Sequence, residues 1–172
     1  MTKEVLLITG ASRGLGAATA IQAAEKGYAV CVNYLNNHEA ADDIVSTIKA
    51  KGGEAIAVAA NIADEQEVMK LFETVDDQLG KITALVNNAG IAGKLTTVEN
   101  MDAARLQCTF ATNVIAYFIC AREAIKRMAV KYGGKGGSIV NISSTAARLG
   151  SANSYVDYAA SKGAVDTECR EY

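Results

Sequence analysis

Short apolar runs without polar alternation recur from residue 5 onward, each separated from the next by a longer helix-patterned segment. A strand without alternation is buried on both faces, and strands separated by helices run parallel through right-handed crossovers. The expected fold class is therefore α/β, a doubly wound parallel sheet in three α/β/α layers. The strands are expected at Val5 to Thr9, Ala29 to Asn33, Ala55 to Ala59, Ile82 to Val86 and Ser138 to Ile142. Helices are expected at Gly14 to Lys26, about Asn37 to Lys51, after Asp64, about Met101 to Lys131 and from about Ser154. Asp64 with Glu67 three residues on is a capping-box signature. Gly133 to Gly137 link the long helix to the fifth strand, and no repeat or domain linker interrupts the chain, so residues 1–172 read as one domain.

Composition narrows the function. Half of the residues are apolar and 21% are charged, an ordinary globular balance. A net charge of -2 without a basic tract argues against nucleic acid and against an anionic membrane surface as partner. A small uncharged or anionic metabolite fits better. At average usage a chain this long carries roughly nine prolines. It has none, so its turns rest on 15 glycines and on Asn/Asp clusters. Cys31, Cys108, Cys120 and Cys169 form no CxxC pair and have no histidine company, which predicts no metal site and a reduced, cytoplasmic setting. The apolar run Val5 to Ile8 is too short for a secretory signal, and Val114 to Ala121 is too short to span a membrane.

In a doubly wound sheet, ligands bind beyond the carboxyl ends of the strands. After the first strand the chain reads Thr9-Gly10-Ala11-Ser12-Arg13-Gly14-Leu15-Gly16 and then enters a helix. Glycines there let the backbone approach a diphosphate, whose charge is stabilised by free amides at the helix N-terminus. The bland alternative is a tight turn alone, and position in the first strand-to-helix connection favours the phosphate.

The spacing of Gly10, Gly14 and Gly16 resembles the TGxxxGxG of the classical short-chain dehydrogenases/reductases. That resemblance continues through Asn87-Asn88-Ala89-Gly90 after the fourth strand, Asn113 in the long helix, Ser143-Ser144 after the fifth strand, and Tyr158-Ala-Ala-Ser-Lys162. It runs from residue 5 to about 167. A YxxxK pair alone is weak, since about 0.4 chance matches are expected in a chain with this many Tyr and Lys. The single match lies in family order with four other motifs. The resemblance implies a Rossmann-like sheet ordered 3-2-1-4-5, a homo-oligomer (dimer or tetramer) built through the long helix and the Tyr158 helix, and a catalytic set of Asn113, Ser144, Tyr158 and Lys162.

Tyr158 and Lys162 are four apart, hence on one helical face. An ammonium beside a phenol, together with an oxidised nicotinamide, favours the phenolate and makes Tyr158 the general acid of carbonyl reduction and the base of alcohol oxidation. Ser144 is assigned to the substrate oxygen in preference to Ser143. By resemblance, Asn113 bends the long helix and holds a proton-relay water, the alternative being a buried, satisfied amide. The cofactor set is Gly10, Ser12, Arg13, Gly14, Leu15, Gly16, Asn33, Tyr34, Asn61, Ile62, Asn88, Ala89 and Gly90, with Tyr158 and Lys162. Strand two ends at Asn33-Tyr34-Leu35-Asn36-Asn37 without the acid that would meet an NAD ribose, and Arg13 is placed to pair with a 2′-phosphate. NADP(H) is therefore favoured over NAD(H). Asn61 stands where the family usually has Asp against adenine.

Three other residue groups read as structural: His38 as a solvated side chain, Tyr155 as a cover or mouth residue, and Tyr117-Phe118 as helix packing or a subunit contact. Relatives continue beyond Gly163 to Thr167 with further strands and a substrate lid, whereas this text ends in Glu168-Cys169-Arg170-Glu171-Tyr172. The expectation is a chain lacking the lid, its fifth strand an uncovered edge. The leading expectation is an NADP(H)-dependent oxidoreductase of a carbonyl or secondary alcohol of sugar, polyol or 3-oxoacyl type. The competing ones are a noncatalytic nucleotide-binding fragment stabilised in an oligomer and, disfavoured by the glycine spacing, a sugar-nucleotide epimerase.

Overall fold

The structure is a computed structural model that describes residues 4–168; Cys169 and the final residues of the expected C-terminal divergence lie outside them. Five strands, β1 (Val5–Ile8), β2 (Ala29–Tyr34), β3 (Glu54–Ala59), β4 (Ala84–Asn87) and β5 (Ser138–Asn141), form one sheet in the order β3-β2-β1-β4-β5. Every pairing is parallel, and central Ile8 is in register with Val32 on one side and Val86 on the other. The chain leaves β1 toward β2 and later crosses to β4, so the point where the winding reverses lies at the carboxyl end of β1.

Side chains of a strand alternate between faces. Val5 and Leu7 therefore pack on one side with Val68, Leu71, Phe72 and Val75 of α3 (Glu65–Gln78) and with Ala116, Cys120 and Ala124 of α5 (Ala116–Met128). Leu6 and Ile8 pack on the other with Ala20 of α1 (Gly14–Glu25) and with Ala41, Val45 and Ile48 of α2 (His38–Ala50). This is the three-layer arrangement expected. Burial on both faces holds for β1 and β2, while β3 and β5 are partly exposed because they are the sheet edges. Val140 of β5 is 49% exposed.

The single helix expected over 101–131 is resolved into α4 (Ala103–Phe110), a π-turn over Ala111–Ile115, and α5. The π-turn inserts one residue into the helical ladder. It places Asn113 inward, where its amide donates to Ile91 O and accepts from Ile91 N, each at 2.8 Å. The polar stretch after β5 contains a one-turn helix, α6 (Ala146–Leu149), and the last helix, α7 (Val156–Glu168), starts two residues later than expected. Asp64 caps α3 through the Gln66 and Glu67 amides, but Glu67 reaches back to the Asn61 amide rather than to the cap residue. Among the described residues no helix is long and apolar enough to cross a membrane.

Candidate active site

The carboxyl ends of β1, β2, β3 and β4 open onto a cavity of about 760 Å³. Its floor comes from Gly10, Ser12, Arg13 and Gly14 after β1. Gly10 has φ +61°, and an added Cβ would lie 2.8 Å from Ala89 Cβ, so only glycine fits where the loops after β1 and β4 meet. α1 begins without a side-chain cap or an acid in its first turn, which leaves its N-terminal amides available to an anion. Leu15 is exposed, and buried Gly16 supports the floor from beneath against Asn88.

The walls come from the other strand ends. Asn33 and Tyr34 line the β2 side, Asn61 and Ile62 the β3 side, and Asn88, Ala89 and Gly90 the β4 side. Two of these act by shaping the wall. Asn33 is 2% exposed, accepts from the Gly10 amide and donates to Val58 O and Ala60 O, and so pins three loops together. Leaving such a buried group unpaired costs ~1–3 kcal/mol. Asn88 spends its amide on Thr9 O and Gly10 O. Asn61 accepts from the Ala63 amide through Oδ1. Arg13 lines the same space and makes no ion pair among the described residues. The β2 end, Asn33 to Asn37, carries no carboxylate.

At Gly90 the cavity wall meets two of the four residues expected to be catalytic, Asn113 and Lys162. A Cβ placed on Gly90 would lie 3.3 Å from Asn113 Oδ1 and 3.6 Å from Lys162 Nζ. Lys162 is 2% exposed; its ammonium donates to Ile142 O at 2.6 Å and to the Tyr117 hydroxyl at 3.2 Å. It lies 5.9 Å from the centroid of the Tyr158 ring, so the two side chains share one helical face as their spacing requires. The Tyr158 hydroxyl makes no hydrogen bond to another described residue. Asn113 also donates to Ser161 Oγ at 3.0 Å, and Ser161 donates to Tyr158 O at 2.7 Å, which ties the π-turn to the Tyr158 stretch of α7. Ser143 spends its hydroxyl proton on Lys162 O, whereas Ser144 only accepts, from the Ala146 amide, and keeps its proton for another partner.

Burial pushes the Lys162 pKa down from 10.5 to about 8, with Asp166 opposing the shift. Between those values the unfolded chain binds the extra proton, so Lys162 makes the fold more stable as pH rises through the window. Urea unfolding is expected to show wild type gaining on Lys162→Met by up to about 3 kcal/mol from pH 7.5 to 10.5. A stability difference that does not vary with pH would contradict it.

Sequence reasoning missed two contributors. Thr9 Oγ1 accepts from the Asn88 and Ala89 amides and holds the β1 and β4 ends together; a threonine between the first apolar run and the glycine loop was the available signal. Tyr117, read as packing, is fully buried, but its hydroxyl also donates to Ala89 O at 3.0 Å and receives Lys162. Nothing in sequence spacing signals a contact 45 residues away. Phe118 is half exposed. His38 is exposed yet not merely solvated, because it meets the Tyr34 hydroxyl at 2.8 Å and Asp42 at 3.0 Å. Cys31, Cys108 and Cys120 are free, and among the described residues no cluster suits a metal.

A family model described as short chain dehydrogenase matches residues 4–171. The chain belongs to the short-chain dehydrogenases. Among relatives in this family, it is 52% identical over 163 residues to the Escherichia coli (strain K12) protein called uncharacterized oxidoreductase YgfF, covering 95% of this chain and 66% of that protein. It is 41% identical over 165 residues to a 3-oxoacyl-[acyl-carrier-protein] reductase of Synechocystis, covering 96% and 65%. The solved structure of an NAD+-bound xylitol dehydrogenase superposes with a TM-score of 0.88 at 30% identity, covering 96% of this chain and 62% of that one. The chain thus spans just under two thirds of the length of these relatives.

Proposed function

We propose that this short-chain dehydrogenase is an NAD(P)(H)-dependent oxidoreductase that interconverts a carbonyl and a secondary alcohol, with NADP(H) preferred over NAD(H). The observation that carries the reading is the Lys162 ammonium, buried against Gly90 at the cavity wall with the Tyr158 ring beside it. The residues present fit a dinucleotide: the Gly10 to Gly14 floor and the open α1 N-terminus suit a diphosphate, and Asn61 and Ile62 suit the adenine side. When bound, the nicotinamide supplies or accepts the hydride. The chain's own residues handle the proton: Tyr158 gives it to the carbonyl oxygen or takes it from the alcohol, with the Lys162 ammonium 5.9 Å from the centre of its ring. Ser144, whose hydroxyl proton is uncommitted, hydrogen-bonds the substrate oxygen as charge develops there. Asn113 holds the Ile91 and Ser161 sides of the site in register.

Preference for the 2′-phosphate rests on Arg13, which makes no ion pair among the described residues, and on the lack of a carboxylate over Asn33 to Asn37. Tyr34→Asp is expected to raise NADH affinity and lower NADPH affinity, shifting their ratio at least tenfold; an unaltered ratio in parallel titrations contradicts this assignment. The 3-oxoacyl reductase and xylitol dehydrogenase relatives support a 3-oxoacyl thioester, sugar or polyol as substrate. Absorbance at 340 nm with NADPH and a panel of such carbonyls tests the reading. Cofactor binding without oxidation of NADPH by any carbonyl would favour a nucleotide-binding fragment instead.

A further inference from the structure

We propose that partly exposed Arg105 and buried Asp157 form a clamp that positions Tyr158 and the segment after β4 relative to each other; the inference deepens the function proposed above and rests on it. Asp157 directly precedes Tyr158 in the first turn of α7 and is 3% exposed. Its carboxylate receives Arg105 Nε at 2.8 Å, Arg105 Nη2 at 3.2 Å and Thr109 Oγ1 at 3.2 Å. Burial pushes its carboxyl up, but the bonds from Arg105, the Tyr158 amide and Thr109 outweigh that and hold it below the usual range. The guanidinium has donors left, and it uses them on Lys94 O at 2.6 Å and Ala92 O at 3.4 Å. Gly93 lies flat against it, since a Cβ there would sit 3.1–3.2 Å from Nη1, Cζ and Nη2.

Two chain segments, residues 92–94 and the start of α7, therefore meet at one planar cation carried by a third, α4. Arg105 is itself fixed in the first turn of α4, where its amide donates to the cap residue Asp102. The segment it grips continues from Ile91, which lines the cavity, and is tied again where the Thr96 amide donates to Ser154 O ahead of α7. Apolar packing would hold these elements together equally well. The bidentate fork adds direction: it sets the Asp157 carboxylate, and with it the neighbouring Tyr158, at a fixed place relative to the 92–94 carbonyls. Proton transfer requires such placement, because a misplacement of about 1 Å can cost roughly 10²-fold in rate.

Hydrogen–deuterium exchange of the full chain tests the clamp in Arg105→Gln and in the isosteric Asp157→Asn, which keeps the fold testable if the first fails to fold. Both are expected to exchange at least tenfold faster at residues 91–97 and 155–159, with β1 and β2 unchanged. At saturating NADPH, kcat for carbonyl reduction falls at least tenfold while the NADPH Kd stays within about twofold. Wild-type exchange in both segments overturns the clamp, as does uniform loosening of the sheet, and loosened segments with unchanged kcat overturn its positioning role. A wild-type chain that turns over no carbonyl would instead defeat the proposed function, leaving the exchange comparison to decide the clamp.

Discussion

Tyr158→Phe is expected to lower carbonyl turnover by roughly 10²–10⁴-fold, the usual contribution of a positioned general acid or base. The change removes one hydroxyl and nothing else of consequence. That hydroxyl makes no hydrogen bond to another described residue, so its loss orphans no buried partner and leaves the Lys162 bonds to Ile142 O and Tyr117 in place. NADPH affinity is therefore expected to stay within a few fold. Steady-state rates at 340 nm beside a nucleotide titration separate the two effects. Unchanged turnover would remove Tyr158 from its role, and a large loss of affinity would make it a binding residue.

Gly16→Ala is expected to act on the other half of the site. Its new methyl would lie 2.6 Å from Asn88 Nδ2, 2.9 Å from Ala11 Cα and 3.0 Å from Gly10 O. Two of those atoms are backbone of the phosphate-loop candidate, and the third belongs to the amide that ties the loop to β4 through Thr9 O and Gly10 O. Overpacking of this kind costs ~1–3 kcal/mol, which lowers Tm by about 2–4 °C per kcal/mol in a chain of this size. NADPH affinity falls at least tenfold because the loop cannot keep its shape. Gly163→Ala, where an added Cβ meets nothing within 4 Å, is the matched control and leaves Tm unchanged or raised. Equal behaviour of the two variants would contradict the loop assignment.

The parallel sheet and the place of the glycine loop were legible because both follow from local pattern, in that unalternating apolar runs bury on both faces and a glycine triplet after β1 can lie only at the strand ends, whereas the strand order was implied by the family resemblance. The Tyr158 and Lys162 pairing was legible for the same reason, since helical spacing fixes which residues share a face. Contacts between distant segments carry no such signal. Tyr117 meets Lys162 across 45 residues and Arg105 meets Asp157 across 52, so the first reads in sequence as packing and the second as two ordinary charges. The break at Asn113 is intermediate: the bend is implied by family resemblance, but its form as a π-turn follows from the Ile91 backbone that the amide has to satisfy. The partial exposure of β3 and β5 comes from their edge positions; the edge at β5 was expected, and both follow from the strand order rather than from the apolar runs.

The cavity beside Lys162 is proposed above as a dinucleotide site with a preference for the 2′-phosphate. Following reduced-nicotinamide fluorescence while the chain is added to NADPH and, separately, to NADH tests it most directly. Saturable binding of NADPH with an affinity above that for NADH is expected, and failure of the chain to bind either nucleotide would overturn the proposed function.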